Sequence, residues 1–323
     1  MSNLYTHLPF SGSNTALVTP FTPDGRLDES AFEKLVDWQI EQGTHGLIPV
    51  GTTGESPTLS HEEHDRVVEL CVKTAAGRVP VIAGAGSNST EEAVRLSRHA
   101  EAVGADAVLI VSPYYNKPTQ DGLKAHFTAV ADAVSIPVVI YDIPGRSIVR
   151  LEDDVLAELA KHPNIAGIKD ATADCGRPTR LLNLIGDDFC QLSGEDATVL
   201  PYLAAGGHGC ISVVSNIAPA LCSELHTAWA KGNDKNRALA LHKRLMPLHD
   251  ALFCEASPGP VKYAAERLGL CGATTRMPLV ELQTAQNKLL TKRWTWLACG
   301  RRLEQGCQLR KGNLNGHINR PYC

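Results

Sequence analysis

Eight short apolar runs, each followed by a stretch with helical spacing, recur through the first 230 residues, and this recurrence leaves the chain few folds to choose from. The runs fall at 14–21, 46–50, 79–83, 106–111, 137–141, 165–169, 190–193 and 209–213. Most are apolar throughout rather than alternating, the pattern of strands buried on both faces in a parallel sheet. Eight β–α units in succession predict a (β/α)8 barrel, the TIM-barrel architecture. A doubly wound sheet is the rival. Its phosphate-binding fingerprint is incomplete here, because Gly84-Ala85-Gly86-Ser87-Asn88-Ser89 lacks the third glycine.

The helical stretches carry their own start signals. Ser30 is a candidate cap for a helix with Phe32, Leu35, Val36 and Ile40 on one face; Ser60 opens a second helix to about 76, and Ser89 or Thr90 a third to about 103. Further helices are expected at 119–134, 153–161, 178–185, 196–204 and 218–229. Beyond the barrel, taken as 1–231, stretches at 235–253, 260–268 and 279–290 predict a C-terminal helical region over 232–290. The last segment, 291–323, has seven basic residues against one acid, a net +6 that leaves −10 for the remainder. With little periodicity it reads as a disordered or non-native extension rather than a basic arm for an acidic partner.

A net charge of −4 and a pI near 6.3 give no reason to expect nucleic acid or a membrane surface as partner. No apolar run reaches the length of a membrane span, and the first 20 residues do not read as a secretory signal, so a cytoplasmic protein is expected. The ten cysteines include no C-x-x-C pair and no histidine at zinc-finger spacing, which predicts reduced thiols and no metal.

In such a barrel the chemistry gathers at the C-terminal ends of the strands, so the residues that end each run are the ones to weigh. The sixth run closes on Lys169, followed by Asp170-Ala171-Thr172. An ammonium there suits a pocket better than a core, and desolvation would favour the neutral amine, the form that attacks a carbonyl carbon. The second run leads into Gly51-Thr52-Thr53-Gly54-Glu55-Ser56, where glycines allow close approach and two hydroxyls can bind a carboxylate or pass a proton. The fourth leads into Tyr114 and Tyr115 between two prolines, and the fifth into Tyr141 with Arg146 five residues on, a guanidinium able to grip a carboxylate. The seventh delivers Ser193-Gly194-Glu195-Asp196. Amine, phenol, hydroxyl and guanidinium thus converge on one mouth.

These motifs, with Gly167-Ile168-Lys169-Asp170 and Gly206-Gly207-His208-Gly209-x-Ile211-Ser212, resemble the dihydrodipicolinate synthase / N-acetylneuraminate lyase family of pyruvate-dependent class I aldolases over roughly residues 10–290. The resemblance implies that Lys169 forms a Schiff base with pyruvate and that Tyr141 transfers protons through a relay of Thr53 or Thr52 and Tyr115. Tyr115 would be lent by a neighbouring subunit, which implies a homo-oligomer, usually a dimer of dimers. Thr53, Gly194 and the Ile211 backbone would lie against pyruvate. Arg146 would hold the carboxylate of L-aspartate-4-semialdehyde, and the product would be 4-hydroxy-tetrahydrodipicolinate, at the first committed step of diaminopimelate and lysine biosynthesis. No metal or organic cofactor is implied, because the imine is itself the electron sink.

The same resemblance implies feedback by lysine at a subunit contact, at Ser56, Pro57, His61, His64, Gly86, Asn88, Glu92 and Tyr114. His61 and His64, a turn apart, would otherwise be a solvated helix face. Asp142 stands where relatives commonly have asparagine, which is expected to add a charge next to Tyr141. Sister activities on N-acetylneuraminate or 2-keto-3-deoxy sugar acids share Lys169 and Tyr141; Arg146 and the paired threonines and tyrosines favour the synthase. A non-catalytic barrel binding lysine or pyruvate is the alternative of another class.

Overall fold

The computed structural model describes residues 8, 10–231, 233–280 and 282. Its strands are β1 Gly12–Ala16, β2 Gly46–Ile48, β3 Ile82–Gly84, β4 Ala107–Val111, β5 Val138–Asp142, β6 Ile165–Asp170, β7 Cys190–Ser193 and β8 Gly209–Ser212. They form one parallel sheet in the order β2-β1-β8-β7-β6-β5-β4-β3. Its two ends meet at a parallel bridge between Leu47 and Val81, and the Gly84 N–H donates to the Pro49 carbonyl at 3.0 Å. The sheet therefore closes on itself as the expected (β/α)8 barrel.

Alternation along each strand sorts the side chains into two apolar clusters. Val138, Ile140 and Ile168 pack outward against the helices, whereas Val139, Tyr141, Leu192 and Ile211 fill the interior. Leu8 and Phe10, from the segment that precedes β1, join the interior cluster. Each such side chain removed from water contributes about 1.5–3 kcal/mol, so the layering is strongly specified.

Helices α1 Glu29–Glu41, α2 His61–Ala75, α3 Thr90–Ala102 and α4 Gln120–Asp132 start on side-chain caps. Asp28 caps α1 in place of Ser30, accepting from the Ala31 N–H at 3.0 Å. Ser60 caps α2 in a reciprocal box with Glu63, and Ser89 caps α3. A single turn, α5 Pro144–Ser147, follows β5 before α6 Asp153–Leu159; only the latter is signalled by the periodicity. α7 Arg177–Ile185 begins one residue earlier than predicted, and α8 Val199–Ala204 three residues later. The delay has a cause: Asp196 turns its carboxylate to β8, accepting from the Ser212 hydroxyl at 2.5 Å and the Val213 N–H at 2.9 Å.

α9 Pro219–Ala230, α10 Lys235–Leu252 and α11 Gly259–Arg267 complete the described helices. Leu241, Leu245 and Leu248 of α10 join Leu225 of α9 in the outer cluster. Of the helix expected at 279–290, residues 279, 280 and 282 are described and are not helical; the remainder, and all of 291–323, lies outside the described residues. Among the described residues no helix is long and apolar enough to cross a membrane, and none of the seven described cysteines is in a disulfide.

Candidate active site

Lys169 and Tyr141 are partners across the β5–β6 ladder, one residue before each strand ends. Alternation aims both into the barrel, where each is 6% exposed. The Lys169 Nζ stands 4.0 Å from the centroid of the Tyr141 ring. An amine and a phenol are thus held together at the C-terminal mouth of an apolar interior.

The loop after β2 reaches the same mouth by a tight path. Val50 and Glu55 both take left-handed backbone, at φ 49° and 57°, and Thr53 is buried between them. A Cβ on Gly84 of β3 would stand 2.5 Å from the Val50 carbonyl oxygen, so only glycine lets this loop lie against the neighbouring strand. Arg146 comes from α5. Thr52, Tyr141 and Arg146 line one cavity of about 230 Å³, together with Ser56, Pro57 and Tyr114.

Other expected site residues, Lys169, Thr53, Gly194 and Ile211, do not line that cavity, although Lys169 lies against Tyr141, which does. Ile211 is in the interior cluster, and the Gly194 N–H donates to the Asp170 carbonyl at 2.7 Å. A Cβ on Gly194 would meet the Ala171 Cβ at 2.7 Å, which accounts for the glycine by close packing of the strand ends. Beside it, burial pushes the Glu195 carboxyl above its ordinary value, opposed by His249 and by Lys169 and Arg146. Tyr115 does not join the mouth of its own barrel: it is 86% exposed, on left-handed backbone at φ 73°.

With this geometry in place, likeness to known proteins is informative. Residues 9–295 match the Dihydrodipicolinate synthetase family. The chain belongs to that family. It is 60% identical over 276 residues to the 4-hydroxy-tetrahydrodipicolinate synthase of Acidiphilium cryptum (strain JF-5), covering 85% of this chain and 94% of that one. A crystal structure of the chloride-inhibited dihydrodipicolinate synthase from Acinetobacter baumannii, complexed with pyruvate, superposes with a TM-score of 0.87 at 44% identity, covering 90% of this chain and 99% of that one. The enzyme from Cyanidioschyzon merolae with lysine bound gives 0.87 at 36% identity, with the same coverage. This member of the family is a lyase of the class I aldolase type, a 4-hydroxy-tetrahydrodipicolinate synthase, which sets the sugar-acid and non-catalytic readings aside.

The positions expected to take a lysine effector fall in two groups here. Ser56, Pro57, Gly86 and Tyr114 share the cavity with Thr52, Tyr141 and Arg146. His61, half exposed on α2, bonds Glu92 of α3 through Nε2 at 2.6 Å, and Glu92 also accepts from the Ser87 hydroxyl. Asn88 donates to the Tyr114 carbonyl at 3.2 Å. For His64 the alternative of a solvated face does not hold: it is buried, and that burial lowers its imidazole to about 4.

Asp142 is the second correction. Following Tyr141, its side chain points to the helix layer, where it is fully buried and accepts from Arg177 Nη1 at 2.7 Å and from the Leu151 N–H at 3.3 Å. Burial raises its carboxyl and Arg177 opposes the rise, so the added charge is neutralised behind the wall rather than presented beside Tyr141. Arg177 is not among the residues that the sequence singles out. Nor is Lys262 of α11, buried against Glu55 at 2.7 Å. Each had a partial signal: Arg177 follows the acids Asp142 and Asp170 that end two neighbouring strands, and Lys262 interrupts an apolar helix face.

Proposed function

We propose that Lys169 is the amine that condenses with pyruvate and Tyr141 the group that moves its protons; the nitrogen held 4.0 Å from the phenol ring in the barrel interior carries this reading. Attack of Nζ on the ketone carbon and loss of water give an imine. The imine draws electrons from the methyl carbon, which loses a proton and becomes an enamine. That carbon then forms the new C–C bond to the aldehyde of L-aspartate-4-semialdehyde, and the carbonyl oxygen takes up a proton. Attack of the substrate's own amine on the imine carbon closes the ring and releases Lys169.

Thr53 and the Ile211 backbone hold the pyruvate carboxylate with Gly194 alongside, and Arg146 binds the carboxylate of the semialdehyde. The proton relay runs from Tyr141 through Thr53 or Thr52 to Tyr115 of a neighbouring subunit. The exposure of Tyr115 supports that last placement, and with it an oligomer, a dimer of dimers. Lysine binds beside the mouth, near Tyr114 and Glu92; the shared cavity and the lysine-bound relative support it.

Borohydride reduction in the presence of pyruvate is the test. A mass gain on the peptide that contains Lys169, absent in Lys169→Arg, is expected; an unmodified wild-type protein sinks the reading. Turnover is then compared for aspartate semialdehyde, N-acetylmannosamine and glyceraldehyde at equal concentration, with the semialdehyde preferred. Arg146→Lys, which loses the bidentate grip, should lower kcat/KM for the semialdehyde by about tenfold or more.

A further inference from the structure

Tyr141 pairs with Lys169 across the β5–β6 ladder, and the residue after each, Asp142 and Asp170, pairs likewise. The first pair faces the interior. The second faces the helices, and there a single side chain meets both carboxylates. Arg177, fully buried at the start of α7, places Nη1 at 2.7 Å from Asp142 and 3.6 Å from Asp170. Its Nη2 donates to the Leu151 carbonyl at 2.6 Å, just beyond the turn that carries Arg146, and its Nε to Asp153 of α6 at 2.8 Å. The guanidinium therefore touches four segments: β5, β6, the connection after α5, and α6.

We propose that Arg177 is a positioning residue for the Schiff-base chemistry, setting from outside the barrel wall the spacing of Tyr141 and Lys169 inside it. The inference rests on Lys169 being the imine-forming amine. Its physical basis is the planar fork of arginine, whose donors lie in fixed directions and can bind several acceptors at once, which a lysine ammonium on a flexible stem cannot do. A misplacement of about 1 Å between reacting groups can cost about 100-fold in rate, so a device that fixes two adjacent strand ends has a direct kinetic consequence. Charge balance alone does not require this arrangement, because any buried cation would offset the carboxylates; what is particular is that all three guanidinium nitrogens are engaged, each with a different segment.

A partial reaction separates positioning from stability. In D2O the enzyme exchanges the methyl protons of pyruvate through the enamine, followed by proton NMR, while borohydride quenching and mass spectrometry count imines per chain. The exchange rate per imine is independent of how much of a variant is folded. Arg177→Lys keeps the charge and loses the fork; it should still form the imine at saturating pyruvate, with exchange per imine at least about tenfold slower. If Arg177→Lys does not fold, Arg177→Met combined with Asp142→Asn, which removes the cation together with one charge it offsets, takes its place with the same readout. A rate per imine within about twofold of wild type, whatever the change in Tm, overturns the proposal. Wild-type protein that forms no imine overturns the Schiff-base reading instead, so the two failures are distinct.

Discussion

Burial holds several imidazoles of this chain in the neutral form. His45, His64 and His126 are each lowered to about 4 and His226 to about 3, all by desolvation first. His126 is typical, with Nδ1 at 2.9 Å from the Thr90 hydroxyl and its ring edge-on to Phe127. A histidine whose folded value lies below the ordinary 6.5 favours the native state fully above 6.5, and that stability is lost as pH falls toward 4. Tm should therefore drop steeply between pH 6.5 and 4.5, and His126→Asn should flatten the drop; an unchanged slope in that variant refutes the assignment. The side chains proposed for the reaction were legible because strand-end position and residue type coincide at Lys169 and Tyr141, with Arg146 in the turn that follows β5. Arg177 was not, since nothing in the order of residues says that Asp142, Asp153 and Asp170, at separate positions, share one cation.

At the scale of elements, the loop that carries Thr52 and Thr53 is gripped from the C-terminal region. Glu55 accepts from Lys262 Nζ at 2.7 Å and from the Arg276 N–H at 3.0 Å, while Lys262 also donates to the Thr19 carbonyl at 2.8 Å. Thr19 in turn donates through its hydroxyl to the Gly54 carbonyl at 2.7 Å. Removing one partner of a buried pair leaves the other charge uncompensated, at a cost of about 3–5 kcal/mol. Lys262→Met should lower stability by that order in denaturant unfolding, and adding Glu55→Gln should recover part of it; equal losses in the single and double variants argue against the pair. Strand and helix existence followed from periodicity, but ends did not. α1 and α8 begin where Asp28 and Asp196 find partners, a choice made by tertiary contacts rather than by local pattern.

Across the whole molecule, the placement of Tyr115 sets what one chain can do alone. Its side chain stands in solvent while Tyr141 lies inside, so a relay that uses both cannot be completed within one barrel as it stands. If Tyr115 serves a neighbour, two disabled chains can repair one another. A Tyr115→Phe chain keeps its own Lys169 and lacks a relay donor for its partner; a Lys169→Arg chain has no amine but still offers Tyr115. In a heterodimer of the two, the site built on the Tyr115→Phe chain receives an intact tyrosine and is whole, while the other site lacks both groups. Purified heterodimers should therefore regain up to about half of wild-type activity, far above either variant alone, because one site of two is intact. Activity no higher than that of the parents would place Tyr115 with its own site or outside the relay. Lysine titrated into the same assay reads the second consequence, because an effector seated beside Tyr114 contacts the segment that presents Tyr115 and can act on the relay only where that segment is shared. Inhibition of the wild type at millimolar lysine is expected, and unchanged activity there removes the effector from the scheme.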